Sequence, residues 1–198
     1  RFLTEHEKQT LKEIVEIKEG KKIYGSDAEE SPMIKDLRTL GVEIAVPEQA
    51  DALGADIDLL IYSAAIPETH PLRVAAKLRH IPEIVYPEAL GQLLAAGKLS
   101  IAITGTNGKT TTTALAGLIF EEADFDPTVV VGSVVKEWKS NARLGKKEVI
   151  IVEACEHKAH MLHLDPNVII LTNIEADHLD YYKDLEHITK TFQEYVKK

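Results

Sequence analysis

The chain has 198 residues, 44% hydrophobic and 28% charged, an ordinary globular composition with room for one large domain or two small ones. Its formal net charge of −9 argues against a nucleic-acid-binding surface, which works by neutralising phosphates. A single cysteine, Cys155, excludes an internal disulfide and suits a reducing, cytosolic compartment. No apolar run approaches the ~20 residues of a membrane span, and no signal segment opens the chain. Because the first residue is Arg1 rather than methionine, a fragment is expected. Cys155 itself reads as a buried apolar filler rather than a nucleophile.

In chain order, residues 4–18 carry helical spacing through Leu11, Ile14, Val15 and Ile17, with a stop at Gly20. Lys22–Tyr24 predicts a short strand and Gly25-Ser26-Asp27 a turn. Ser31-Pro32 has the form of an N-cap followed by first-turn proline, opening a helix that ends at Gly41. Strands are expected at 42–45, 58–63 and 83–86, with helices over 70–80 and 87–97. A boundary near residue 98 then separates a first α/β unit, 1–98, from a second, 99–198. The second unit is expected to hold strands at 100–104, 127–131, 148–153 and 168–172, and helices over 109–123 and 184–196. Strands alternating with helices at this spacing imply parallel sheets with crossover helices.

The chemistry concentrates where the strand 100–104 meets its helix, in Gly105-Thr106-Asn107-Gly108-Lys109-Thr110-Thr111. An apolar strand, a glycine turn, a lysine, a hydroxyl and a helix start form a phosphate-binding arrangement, which makes ATP the expected ligand. The general pattern asks for a glycine six residues before the lysine; that position is Ile103, so the loop is a shorter version. Lys109 would neutralise phosphate charge, Thr110 would offer its hydroxyl to Mg2+, and the helix N-terminus would add its dipole.

Two further clusters stand at the carboxyl ends of apolar strands: Glu153-Ala-Cys-Glu156, and Thr172-Asn-Ile-Glu-Ala-Asp-His178-Leu-Asp180. In parallel sheets that edge is where ligands bind. Glu153 suits a Mg2+ ligand. From chemistry alone, His178 is open between metal ligand, phosphate donor and structural residue. His157, His160 and His163 fan over about 120° of a helix, too wide for one tetrahedral zinc site, so an exposed helix is expected there.

These motifs are similar to those of the Mur ligases, the ATP-dependent amide-forming enzymes of peptidoglycan synthesis. The resemblance rests on Gly105–Thr113, Glu153–Glu156 and Thr172–Asp180, on Gly25-Ser-Asp27 before a Glu-Ser-Pro helix start, and on Ser63-Ala-Ala-Ile-Pro67. It covers residues 22 to about 190, in the family's order. It implies a Rossmann-like domain that binds a UDP-sugar, with Asp27, Ser63, Ala64 and Ala65 as contacts. An incomplete P-loop α/β ATPase domain would follow. It further implies Lys109, Glu153 and His178 as catalytic residues. Thr110 and Glu153 would hold one Mg2+ and His178 a second. Within the family the likeness is to members that use UDP-N-acetylmuramate and L-alanine. The family's opening glycine-rich loop has no counterpart, since residues 1–19 contain no glycine, and the chain is expected to stop inside the central domain. Alternatives are a relative that attaches a tripeptide to the same sugar nucleotide, or a non-catalytic nucleotide-binding module. A dinucleotide-binding dehydrogenase is disfavoured, because no Gly-x-Gly-x-x-Gly precedes a helix.

Overall fold

The computed structural model describes residues 22–39, 41–47, 53–54, 56–146 and 148–198. The helix expected over 4–18 lies outside them. The chain divides into two compact units, residues 1–89 and 90–198. The boundary expected near residue 98 falls eight or so positions later, just after a helix that straddles the division.

In the first unit, β1 (Tyr24–Ser26) pairs in parallel with β2 (Glu43–Ala45), with α1 (Pro32–Thr39) between them. Ser31 caps α1 by accepting a hydrogen bond on Oγ from the Ile34 N–H at 3.3 Å. Gly41 then takes φ +84°, the left-handed form glycine adopts without strain. The expected strand at 22–24 and turn at 25–27 are shifted: Gly25 pairs with Ile44 and Ser26 with Ala45, so the strand runs on to Ser26. A second parallel pair joins β3 (Leu60–Tyr62) to β4 (Glu83–Val85) across α2 (Pro71–Leu78). His70 caps α2, its Nδ1 accepting from the Leu72 N–H. Buried Leu53, Ile66, Leu72 and Ala76 form the local core, at about 1.5–3 kcal/mol for each large side chain. The helix α3 (Tyr86–Ala95) follows.

The second unit is a five-stranded sheet in the order β7-β6-β8-β5-β9. Its strands are β5 (Leu99–Thr104), β6 (Thr128–Val135), β7 (Ser140–Arg143), β8 (Val149–Glu153) and β9 (Val168–Leu171). All pairs are parallel except β6–β7, which is antiparallel. The sequence gives no hint of β7, since Ser-Asn-Ala-Arg has little strand propensity. Pairing with β6 makes it a strand, and Trp138 in the connecting turn donates from Nε1 to Glu121 at 2.8 Å.

The helix α4 (Lys109–Glu122) packs on the sheet over a core of Ile101, Ile103, Val129, Val131, Val135, Val149 and Ile151. Gly117 sets that approach: a Cβ there would lie 2.6 Å from the Trp138 ring. The helix α5 (Leu185–Tyr195), capped by Asp184 at 2.8 Å from the His187 N–H, buries Ile188, Thr191, Phe192 and Tyr195. Among the described residues no helix is long and apolar enough to cross a membrane.

Residues 157–163 do not form the exposed helix expected there. They form 3-10 turns interrupted at Lys158 and Ala159, whose φ values are +53° and +57°. The 3-10 bonds run from the Ala159 N–H to Glu156 O and from the Leu164 N–H to Met161 O, and across the interruption the Met161 N–H reaches back to Cys155 O; Met161 and Leu164 are buried completely or nearly so. His160 is drawn partly inward, and burial pulls its imidazole down to about 4. Cys155 is exposed rather than a buried filler.

Candidate nucleotide-phosphate site

The site grows from the strand order. Neighbouring parallel strands β8, β5 and β9 end at one sheet edge and deliver Glu153, the Gly105–Lys109 loop and Thr172–Asp180 side by side. β5 is buried along nearly its whole length, as an apolar central strand should be. At its end Gly105 takes φ +129° and Gly108 takes φ +81°. A Cβ on Gly105 would lie 2.1 Å from Thr172 Oγ1, whereas one on Gly108 would meet nothing within 4 Å. Gly105 therefore packs the loop against the β9 extension, and Gly108 leaves open space at the helix start.

The β9 extension braces the loop, a role the sequence analysis did not assign. Asn173 accepts from the backbone N–H groups of Thr106 at 3.0 Å (on its carbonyl) and Asn107 at 2.9 Å (on Oδ1). Thr172 Oγ1 donates to Asn107 O at 2.7 Å, and the Glu175 N–H donates to Thr106 Oγ1 at 2.8 Å. With the Thr106 and Asn107 amides so engaged, the amides left to meet an anion would be those of Gly108, Lys109, Thr110 and Thr111. These lead or open α4, where N–H groups have no intrahelical acceptor.

Lys109 Nζ donates to Gly105 O at 2.7 Å, Thr106 O at 2.9 Å and Glu156 Oε1 at 2.9 Å. Glu156 is wholly buried and also lies 3.4 Å from His178 Nε2. A carboxylate in that position costs several kcal/mol unless paired, and Lys109 is its partner. Its other oxygen, Oε2, has no hydrogen-bond partner among the described residues. Glu153 takes the neighbouring hydroxyl rather than the lysine. Its Oε1 accepts from Thr110 Oγ1 at 3.0 Å, and its Oε2 accepts from the Gly132 N–H. Gly132 leaves room for that carboxylate: a Cβ there would lie 2.6 Å from both Glu153 oxygens.

The structure thus joins Thr110 to Glu153 and joins Lys109 and His178 to Glu156. Glu156 was named in the sequence as part of the Glu153–Glu156 cluster but given no role, although it stands three positions after Glu153. His178 has φ +50° and stacks on His157, with ring centroids 4.5 Å apart. The Tyr182 hydroxyl donates to the Glu156 carbonyl and ties the two segments together, and burial raises that phenol to about 12.

In the first unit, Asp27 and Ser63 are buried at the carboxyl ends of β1 and β3. Asp27 Oδ1 accepts from the Glu29 N–H, and Ser63 Oγ accepts from the Ala65 N–H, so each shapes its own loop. Ala64 is half-buried and Ala65 exposed. Beneath that loop Arg73 donates to Ile66 O at 3.0 Å, pairs with Glu83 at 2.7 Å and lies over the Tyr62 ring.

A mostly parallel sheet with a glycine–lysine–threonine loop at the carboxyl edge of its parallel strands, a helix N-terminus and a carboxylate beside the threonine defines a phosphate-loop α/β protein. Two family descriptions match nearly end to end: Mur ligase family, catalytic domain, over residues 12–98, and Mur ligase middle domain over residues 103–198. The chain belongs to the Mur ligase family.

A UDP-N-acetylmuramate–L-alanine ligase of Lachnoclostridium phytofermentans is 39% identical over 90% of this chain and 38% of its own length. One of Agathobacter rectalis is 42% identical over 90% of this chain and 39% of its own. The chain thus spans about two fifths of the length of these curated relatives. The crystal structure of UDP-N-acetylmuramate-alanine ligase from Thermotoga maritima matches with a TM-score of 0.77 and 31% identity, over 88% of this chain and 41% of that one. A UDP-N-acetylmuramate:L-alanyl-gamma-D-glutamyl-meso-diaminopimelate ligase of Neisseria meningitides has a TM-score of 0.82. At 24% identity, over 98% of this chain and 64% of that one, it is similar in fold.

Proposed function

We propose that this chain forms the sugar-nucleotide-binding and ATP-binding parts of a ligase that joins L-alanine to UDP-N-acetylmuramate. The observation that carries the reading is the convergence of Lys109, Thr110, Glu153 and Glu156 on the open start of α4. The names of the relatives supply the substrates. In this reaction the carboxylate of UDP-N-acetylmuramate takes the terminal phosphoryl group of ATP, ADP leaves, and an acyl phosphate results. The amine of L-alanine then displaces phosphate, and the amide bond forms.

Lys109 Nζ lies 2.9 Å from the buried Glu156 carboxylate, which holds it in position before the nucleotide arrives. Exchange of its two loop carbonyls for phosphate oxygens would place Nζ where charge builds up during phosphoryl transfer. The amides of Gly108 to Thr111 would hold the same phosphates. Thr110 and Glu153 offer a hydroxyl and a carboxylate, a donor pair that fits Mg2+. His178, beside the unpartnered oxygen-bearing carboxylate of Glu156, would serve a second ion. Bound Mg2+ supplies charge neutralisation between the phosphates. The Asp27 and Ser63–Ala65 loops, both at strand carboxyl ends, would take the UDP-sugar, and a cytoplasmic setting suits the lone Cys155.

The reading is tested with a full-length protein carrying these residues, supplied with ATP and UDP-N-acetylmuramate. Phosphate release that requires L-alanine supports it. Release that requires the L-alanyl-γ-D-glutamyl-diaminopimelate tripeptide instead, or nucleotide binding without release under either condition, overturns it.

A further inference from the structure

His178 belongs to two groups of potential metal ligands. With Glu156 and Asp177 it forms an inner group, and with His157 and Asp180 an outer one; in each, one ligand atom per residue lies within 4.8 Å of the others. The two groups differ in chemistry. Two carboxylates and one imidazole suit a hard ion such as Mg2+, whereas two imidazoles and one carboxylate suit a borderline transition ion. We propose that His157, His178 and Asp180 form a second cation site, for a divalent ion of the Zn2+ class, at the outer rim of the nucleotide-phosphate site.

The spacing is already close to what such an ion needs. His157 Nε2 and Asp180 Oδ2 stand 3.2 Å apart. Two ligands on a tetrahedral ion, each at 2.0–2.1 Å, are about 3.3 Å apart. The His157 and His178 rings stack 15° from parallel with their donor atoms within 4.8 Å, so binding requires one of these partly exposed rings to turn towards the other's donor. All three side chains are reachable, at 32%, 33% and 68% exposure for His157, His178 and Asp180.

The backbone that carries them is also fixed. Tyr182, 1% exposed, donates its hydroxyl to the Glu156 carbonyl and so staples the 178–182 turn to the segment that starts at His157. Within that turn the Tyr181 and Tyr182 N–H groups both donate to His178 O at 2.9 Å. Three protein ligands leave one position for water. Since His178 is shared, an ion held by the outer group withdraws that imidazole from Glu156. The competition with Mg2+ and nucleotide that follows rests on the reading under Proposed function; the outer site itself does not.

The test uses the 198-residue chain titrated with Co2+ by visible absorption and with Zn2+ by calorimetry. One tetrahedral Co2+ per chain, displaced by Zn2+, is expected. His157→Ala and Asp180→Asn each weaken Zn2+ binding by about tenfold or more, and His163→Gln, at an exposed histidine outside the group, leaves it unchanged. Absence of saturable binding, or equal affinity in His157→Ala, overturns the site, as does an equal loss in His163→Gln. Excess Mg2+, with no free nucleotide present to chelate Zn2+ itself, is expected to weaken Zn2+ binding. Indifference to it, with the His157 effect intact, upholds the outer site and overturns the sharing of His178.

Discussion

Glu156 Oε1 lies 2.9 Å from Lys109 Nζ, and Glu156 is the only partner of Lys109 among the described residues that carries charge. The carboxylate is wholly buried and the lysine side chain 14% exposed. Removing one member of such a pair strands the other. Lys109→Met is therefore expected to lower the unfolding free energy by about 3 kcal/mol. Adding Glu156→Gln to it should restore part of that loss without restoring nucleotide affinity. Urea unfolding and equilibrium binding of Mg2+ with ATP read the two effects separately. Equal stability of Lys109→Met and the parent would contradict the pairing.

Gly132 gives a test of the Thr110–Glu153 pair that touches neither residue. A Cβ at position 132 would stand 2.6 Å from both Glu153 oxygens, so Gly132→Ala pushes the carboxylate off Thr110. Magnesium-dependent nucleotide affinity should fall by about tenfold, the scale of a misplaced metal-shell group. Far-ultraviolet circular dichroism should stay at the parent's value. An unchanged affinity would mean that Glu153 does not set that pocket.

Arg73 holds the Glu83 carboxyl below the usual carboxylate range through their hydrogen bonds. A carboxylate with a depressed folded value stabilises the native state above its unfolded value and loses that contribution as pH falls through the folded one. The stabilisation should be complete above about pH 4.5 and disappear below it. Glu83→Gln should flatten this part of a pH–stability curve. A mutant curve parallel to the parent's below pH 4.5 would show the pair to be inert.

His160 acts in a higher window. Burial lowers its imidazole from the ordinary 6.5 to about 4, so the unfolded chain takes up the proton first. Stability is fully present above pH 6.5 and falls as pH drops towards 4. His160→Phe should remove that slope, measurable as the thermal midpoint at pH 7 against pH 5.

The parts of the fold built on apolar runs were legible in the sequence. Ile-Ala-Ile-Thr before Gly105 and Val-Ile-Ile-Val before Glu153 can bury both faces only as central strands, and they do. The β7 strand was not legible, because its polar residues become a strand only through pairing with β6. Glu156 was given no role for a related reason: it follows the end of β8, where no period tells which way a side chain points. Gly132 did carry a usable signal, since glycine inside a valine-rich strand marks a close approach. The histidine segment was misread as an exposed helix. Three-residue spacing suits a 3-10 turn equally well, and the burial of Met161 decided between them.

The central claim is that Lys109 serves phosphoryl transfer, and ADP release tests it most directly. In a full-length protein carrying these residues, supplied with ATP, UDP-N-acetylmuramate and L-alanine, Lys109→Ala should slow ADP release by at least about 100-fold, or roughly 2.7 kcal/mol. Release at a rate near the parent's would contradict the assignment of Gly105–Thr111 as the working nucleotide site.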